Sequence, residues 1–575
     1  MQSATLSFIR LFFQWTTLLA VLICSQAVPV AAQWSTNPTL NNVICNALYN
    51  QVAPTIISDG AGGAIITWQD NHDGSPTNTD IYAQRIDALG VVQWTNNGVA
   101  ICSAIDGQYK PIIVSDGSGG AIIAWYDQRN SAANTDIYAQ RINASGTVQW
   151  TPNGVAICAA VDNQSQPTIA SDGSGGAIIA WNDYRSGTNS DIYAQRINAT
   201  GVLQWTVNGV SICSAPIDQS DPAIVSDGGG GAIITWSDAG GNYIDIYAQR
   251  ITSAGTVQWT TNGVGICTAG FNQNLPTIVS DGVGGAIISW QDYRSGGRQD
   301  IYAQRVNASG AMQWLIDGVP ICTAVGYGSS VPNVISDGAA GAIIVWVDDR
   351  TGFDDIYAQR INATGVLQWT IDGVAICTAT DRQYVPTIVS DGAGGAVITW
   401  SDIRNGTNSD IYAQRINATG VLQWITNGVA ICTAGNDQFE PTIVSAGTGS
   451  AIITWYDIRT GDYDIYAQLV NASGGLGLLT SVEEEFTPEE FLLSQNYPNP
   501  FNPTTRIQYQ VSSISQVSLK VYDILGNEVA TLVNEEKPAG SYEVEFNAAG
   551  LSSGIYFYKL NAGSFVQTKK MILLK

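Results

Sequence analysis

One unit, repeated eight times, constrains this chain more than any other feature of it. The stretch PTIVSDGAGGAVITWSDIRNGTNSDIYAQRINATGVLQWITNGVAIC, residues 386–432, is a clear copy. Trp94, Trp150, Trp205, Trp259, Trp314, Trp369 and Trp424 follow one another at 54 to 56 residues, and a second series from Trp68 to Trp455 keeps the same period. Self-similarity at such a period means one supersecondary unit per copy, each burying its apolar faces against its neighbours.

Each copy reads as four strands. In the fifth copy the first is Pro276–Ser280, followed by the turn Asp281–Gly285 and the second strand Ala286–Trp290. Asp-Gly and Gly-Gly at a tight turn supply the positive φ that such a turn demands. The third strand is Asp300–Arg305, and the fourth is expected at Met312–Trp314, after the turn Asn307–Gly310. Strands rich in Ile, Val, Tyr and Trp, with no helical period, predict an all-β array. Four strands per copy predict an eight-bladed β-propeller, since blades pack on both faces and Ala-Ile-Ile-Thr-Trp is apolar throughout. A β-solenoid is the rival, but its coils are usually shorter than ~55 residues. The Gln-Trp element has a copy, Gln33-Trp34, ahead of the first unit and none after Asp464–Gln468. The expectation is that Gln33 and Trp34 form the strand that closes the last blade and leaves no open edge.

Residues 1–32 read as a secretory signal, with Arg10 before the apolar run Leu18–Cys24 and Val30-Ala31-Ala32 ahead of Gln33. That run is well under the roughly 20 residues a membrane span needs, so no transmembrane segment is expected after its removal. Residues 33–474, the propeller region, hold 36 Asp and one Glu against 15 Arg and one Lys, a net charge of −21. One dominant sign repels phosphate backbones and anionic lipid, which excludes nucleic acid as an expected partner.

Eight cysteines, Cys45 to Cys432, stand one per copy. An even count in an exported chain usually suggests disulfides. Equivalent atoms of an eightfold ring of radius r lie about 0.77r apart, however, and a disulfide needs Cα atoms within roughly 7 Å. Buried, inert thiols are expected instead.

The repeated polar residues invite structural roles. Asp402 and Arg415, with their equivalents, are expected to pair between strands, and the Asp of Ser-Asp-Gly to bond its own turn. These turns offer one carboxylate per loop, so Ca²⁺ is a minor alternative and no cofactor or metal ligand is assigned. The chain has one histidine, His72, which makes a Ser-His-Asp triad or a histidine metal centre a poor fit. No catalytic residue is assigned, though a carboxylate pair survives as an alternative because Asp is abundant. The Asn-Ala-Ser/Thr tripeptides, as at Asn143 and Asn417, match glycosylation sequons, but a fixed turn before Gly accounts for them. A binding site is expected where copies disagree: residues 71–79, 239–244, 268–275 and 324–331, with Phe271, Tyr327, Tyr384 and Phe439 available to stack on sugars or a partner. Pro-x-x-x-Ser-Asp-Gly followed by an apolar strand and Asp-Ile-Tyr resembles the repeats of TolB-type and WD-like propellers, a likeness that implies a fold and no function.

After Gly474 the repeat stops. Residues 475–493 read as an acidic linker, and 494–575 as a small β-sandwich of short alternating strands, among them Val517–Tyr522, Tyr542–Phe546 and Gly554–Tyr558. Tyr497-Pro-Asn-Pro-Phe-Asn-Pro, Val521-Tyr-Asp-Ile-Leu-Gly, Leu551-Ser-Ser-Gly-Ile-Tyr556 and Lys569-Lys-Met-Ile-Leu-Leu-Lys575 closely resemble the C-terminal sorting domain of the bacterial type IX (Por) secretion system. The resemblance implies an Ig-like sandwich recognised in the periplasm by the secretion machinery, then passage across the outer membrane to the surface or beyond. By position, Gly554, Tyr556, Lys569 and Lys570 fall in the parts that machinery would read. The expected function is that of an exported cargo with a non-catalytic binding or scaffold propeller, its partner a surface glycan or protein. A glycan-active hydrolase or lyase on the propeller is the alternative.

Overall fold

A computed structural model of the chain describes residues 34–71, 74–75, 78–131, 134–324, 331–478, 491–512, 514–537, 540–563 and 565–575. The described residues contain strands and no α-helix, and the chain divides into two compact units, 1–478 and 479–575. The signal, most of the acidic linker, His72 and Tyr327 lie outside the described residues.

Five strands open the first unit: β1 (Asn42–Cys45), β2 (Gln51–Ser58), β3 (Ala64–Asp70), β4 (Asp80–Ile86) and β5 (Val99–Cys102). The last four form one antiparallel sheet in chain order, and six further sheets repeat the pattern. An eighth sheet is assembled from Gln438–Gly447, Ser450–Asp457, Asp464–Val470 and β1. Each innermost strand touches the next around the set, and Gln438–Gly447 touches β2, so the sheets close into a propeller ring.

The second strand of each blade is apolar on both faces because blades press on it from both sides: Ala64, Ile65, Ile66 and Trp68 are wholly buried. Fully burying each such Ile contributes about 1.5–3 kcal/mol. All eight cysteines between Cys45 and Cys432 are buried and unpaired, and burial pushes each of these thiols up to about 12.

The fourth strand differs from expectation. It is the Val-x-Ile-Cys segment, such as Val319–Cys322, and not the Gln-Trp segment. The reason is a buried glutamine. After the turn at Asp87–Gly90 the chain makes a single bridge, Ile86 to Val92, and Gln93 N donates to Arg85 O at 2.7 Å. The Gln84 side chain then replaces the ladder: its Oε1 accepts from Trp94 N at 2.9 Å and its Nε2 donates to Thr95 O at 2.8 Å. Trp94 leaves the sheet and donates Nε1 to Ala144 O of the next blade at 3.1 Å.

The closing strand moves accordingly. The N-terminal copy of Val-x-Ile-Cys is β1, which pairs antiparallel with Asp464–Val470, Val43 opposite Tyr466 and Asn42 opposite Ala467. Trp34 is not in a strand. It is 3% exposed, packs beside Ile465 and Ala467, and donates Nε1 to Ala88 O at 3.0 Å, the role Trp94 has one blade on. Gln33, the other residue expected to close the ring, lies outside the described residues.

The second unit is an Ig-like sandwich. One sheet holds Leu492–Leu493, Thr504–Val511 and Gly540–Asn547; the other orders Glu528–Lys537, Ser515–Tyr522, Gly554–Ala562 and Phe565–Leu573. Alternate residues of both sheets, including Ile507, Tyr509, Leu519, Tyr558 and Met571, meet in one core.

Candidate functional site

Most of the repeated polar residues are used up by the fold. Asp391 Oδ1 accepts the N–H groups of Ala393 and Gly395, each at 2.8 Å, while its Oδ2 accepts Arg415 Nε and Nη2 at 3.1 and 3.0 Å. Arg415 also reaches Ala472 O of the following blade at 3.3 Å. Six other blades repeat this arrangement, from Asp59–Arg85 to Asp337–Arg360. The expected pairing of Asp402 with Arg415 is therefore corrected. Asp402 is bound by Arg404, two residues on, where the chain leaves the strand and the guanidinium can fold back over it. In the last copy both partners of the first pair change together, to Ala446 and Leu469. The Asn143 carboxamide caps its own turn, accepting from Ser145 N at 3.1 Å and Thr147 N at 2.9 Å.

One repeated position has no such structural duty. The residue before the proline of each innermost strand is Ala53, Lys110, Gln166, Asp221, Leu275, Val331, Val385 or Glu440. Seven of the eight have left-handed backbone, with φ between 49° and 55°. Residues before proline ordinarily stay extended, and a β-branched side chain such as Val385 strongly disfavours positive φ. A bulge holds them there: the register slips at this point in seven blades, as between Val52 and Thr55. Bulges of this kind re-aim a side chain. Lys110, Gln166, Asp221, Leu275 and Val331 line one cavity of about 330 Å³ among the innermost strands. Ala53, Val385 and Glu440 stand at the same position on strands that complete the ring.

The ring position is held firmly and filled unevenly. Thr387 and Thr442 donate Oγ1 to the carbonyls of Pro441 and Pro54 on the next strand at 3.0 and 3.4 Å, and Asn333 Nδ2 reaches Pro386 O at 2.9 Å. Lys110 and Glu440 are the one lysine and the one glutamate of residues 33–474, and both stand here. Going round, Glu440, Ala53, Lys110, Gln166 and Asp221 form a mainly polar arc, and Leu275, Val331 and Val385 an apolar one. Asp221 and Glu440 stand four blades apart in a ring of eight, on opposite sides of it.

Three of the four segments singled out for their variation share the face at this end of the strands, while 325–330 of the fourth lie outside the described residues. Asn71 N donates to Asn50 O, Gln108 N to Thr79 O and Gln273 N to Ile244 O at 2.7–2.9 Å, which ties those loops to the starts of inner strands. Phe271 is exposed and lies against Tyr243, ring centroids 5.4 Å apart. Tyr384 and Phe439 are built into the blades instead, Tyr384 Oη donating to Ser409 Oγ at 2.9 Å and Phe439 packing on Tyr456 and Tyr463. Sequence reasoning missed the ring itself. Its signal was the charge tally: the rarest charged residues of the unit occupy equivalent positions.

In the tail, the residues assigned to sorting come together on two adjacent strands. Gly554 faces Leu573, Tyr556 faces Met571, and Lys569 and Lys570 lie opposite Tyr558 and Phe557. Tyr556 is largely buried and donates Oη to Ser552 O at 2.8 Å, while Lys570 is exposed. Residues 495–574 match the family described as the secretion system C-terminal sorting domain. The chain thus carries a type IX sorting domain, which directs export across the outer membrane to the cell surface or outside. None of the curated proteins matches the chain. Among solved structures it is similar to a protein of unknown function from Dyadobacter fermentans, at 11% identity and TM-score 0.35 over 75% of this chain and 98% of that one. It is also similar to an endo-arabinase from Bacteroides thetaiotaomicron, at 13% identity and TM-score 0.27 over 43% and 92%. A mutant α-L-arabinofuranosidase from Fusarium graminearum gives 11% identity and TM-score 0.32 over 54% and 94%. Likenesses this low carry no argument about activity.

Proposed function

We propose that this protein is a type IX cargo whose eight-bladed propeller binds a ligand, without catalysis, at the axial mouth ringed by the residues before the inner-strand prolines. The observation that carries the reading is the contrast within each copy: positions spent on the fold are alike, whereas the ring position differs from blade to blade and costs backbone strain to present. A polar arc opposite an apolar one suits an elongated ligand with two faces, such as a glycan chain or a peptide at the cell surface. Gly554, Tyr556, Lys569 and Lys570 are proposed as the surface read by the secretion machinery, which is consistent with their meeting on two paired strands. One observation favours the second reading, a glycan-active enzyme: Asp221 and Glu440 are the two acidic members of the ring and stand across it from each other.

The test is a glycan and cell-surface binding screen of the exported protein, set beside Lys110→Ala, Leu275→Ser and Glu440→Gln. Loss of binding in the ring variants with unchanged thermal unfolding supports the binding mouth. Binding that survives all three removes it. Release of reducing ends that Glu440→Gln abolishes would replace the binding reading with the enzymatic one. Deleting residues 494–575 should leave the product in the periplasm; normal export of that truncation overturns the sorting role.

A further inference from the structure

Six blades carry an arginine two residues after the aspartate that ends the second strand, and each guanidinium occupies the same socket. In the second blade Arg129 Nε donates to Asp127 Oδ1 at 2.9 Å, and its Nη2 reaches Cys102 Sγ at 3.0 Å and Asn153 O at 2.8 Å. Its Cζ lies 3.9 Å above the centre of the Tyr138 ring. Arg185, Arg294, Arg350, Arg404 and Arg459 sit over their tyrosines at 3.7–4.0 Å. The socket is thus a carboxylate, a thiol, a backbone carbonyl and an aromatic face around one planar cation.

The fourth blade has the socket and lacks the arginine. Asp238, Cys213, Tyr247 and the Asn262 carbonyl stand where Asp127, Cys102, Tyr138 and the Asn153 carbonyl stand, but the residue at the arginine position is Gly240. The loop begins as in the filled blades, Gly240 N donating to Asp238 Oδ1 at 2.8 Å as Arg129 N does to Asp127 Oδ1 at 2.9 Å, but the hydrogen-bonded turn that follows there, such as Ser131 N to Gln128 O, is absent among the described residues of the fourth blade. Cys213 Sγ still lies 3.9 Å from Asp238 Oδ2, and Trp236 Nε1 still donates to that oxygen at 3.2 Å. Fully buried Gln219 lies opposite Asp238 in the register, and its Oε1 has no hydrogen-bond partner, a state it shares with the equivalent glutamines of six other blades.

The carboxylate that begins the third strand is also more open here than in the filled blades. Asp136, Asp191, Asp300, Asp355, Asp410 and Asp464, which begin the third strands of the six filled blades, are at most 5% exposed. Asp245, their counterpart, is only partly buried, and no described side chain bonds it. Thr351 and Thr460 cover this carboxylate in the sixth and eighth blades, where the connecting loop has the same length; Gly241 stands in their place. Burial, with Asp238 and then Asp317 nearby, pushes the Asp245 carboxyl up to about 6. The first blade has His72 at the arginine position, so glycine here is peculiar to the fourth.

We propose that the fourth blade is a receptor for a guanidinium group from outside the propeller, the side chain of an arginine on a partner polypeptide or of free arginine. The incoming group takes the place its six siblings fill from within: a forked contact to Asp238, a second charge contact to Asp245, and stacking on Tyr247. A planar fork matches a carboxylate and an aromatic face together, which an ammonium does not. The socket lies at the same end of the strands as the axial mouth but shares no residue with it, so the two readings stand or fall separately.

The test is calorimetric titration of the full exported chain with N-acetylarginine amide, and with a Gly-Arg-Gly peptide to separate a free ligand from a polypeptide one. N-acetylcitrulline amide, N-acetyllysine amide and Ca²⁺ serve as controls. Saturable binding of an arginine compound, about tenfold or more tighter than of the citrulline and lysine analogues, is expected. Gly240→Arg, whose Cβ would meet Asp238 Oδ1 at 2.6 Å so that the carboxylate must shift to receive it, should place an arginine in the socket and abolish that binding. Asp245→Asn should weaken binding about tenfold with the fold intact. Lys110→Ala should leave it unchanged. No saturable binding in either arm, equal binding of citrulline, preference for Ca²⁺, or binding that survives Gly240→Arg would each overturn the proposal.

Discussion

The two units spend charge in opposite ways. In the propeller nearly every charge is aspartate or arginine, and most of the arginines are held in blade after blade by a carboxylate that is almost wholly buried, as in Asp402–Arg404 and Asp391–Arg415. In the tail the pairs join glutamate to lysine or arginine on open strand faces, as in Lys520–Glu528 and Arg506–Glu543. The difference follows from what each arrangement has to do. A buried carboxylate needs several donors in fixed geometry, which the forked guanidinium and nearby N–H groups supply. An exposed lysine keeps the sandwich soluble and contributes little to holding it together.

The comparison is broken most sharply by leaving one buried partner alone. Asp402→Ala strands the Arg404 guanidinium and should cost about 3–5 kcal/mol in denaturant unfolding. Next in size is the pair copied from the eighth blade, Asp391→Ala with Arg415→Leu. Each single change should destabilise, and the double should cost less than their sum by about 0.5–3 kcal/mol, read from a double-mutant cycle. A smaller effect depends on pH. Asp245 titrates in the folded chain at about 6, above the ordinary 3.8, so the folded state holds the extra proton between those values. Stability should therefore fall as pH rises from about 4 through 6. Asp245→Asn should raise the Tm at pH 7.5 relative to the parent and lose that advantage below pH 4. At the bottom of the scale, Lys520→Ala in the tail should leave the unfolding midpoint where it was.

The repeat, the strand-rich copies, the closure of the ring from the N-terminal side and the alternating strands of the tail were all legible in the residues. Two local assignments were not. Gln84 carries no mark that its side chain will replace a ladder, so the Gln-Trp segment reads as a strand when its tryptophan in fact caps the next blade. Asp402 and Arg415 look like partners because both recur, but the shorter reach from Asp402 to Arg404 decides the pairing. In the tail, Glu528–Lys537 is not among the expected strands because Val529, Ala530, Leu532 and Val533 do not follow the strict alternation that marks its neighbours. The axial ring was half visible, since its members differ from copy to copy; that they point together depends on a bulge no composition reveals.

The four-residue strand Asn42–Cys45 joins a partner more than 400 residues away in sequence. Loop-closure entropy grows only as the logarithm of that distance, so the seam is thermodynamically cheap, yet contacts this remote in sequence form late. The propeller is therefore a wheel whose rim can be completed only after its last spoke exists. Until then the two outermost sheets wait with raw borders, and a companion that shields those borders during transit would decide how much of the chain arrives whole.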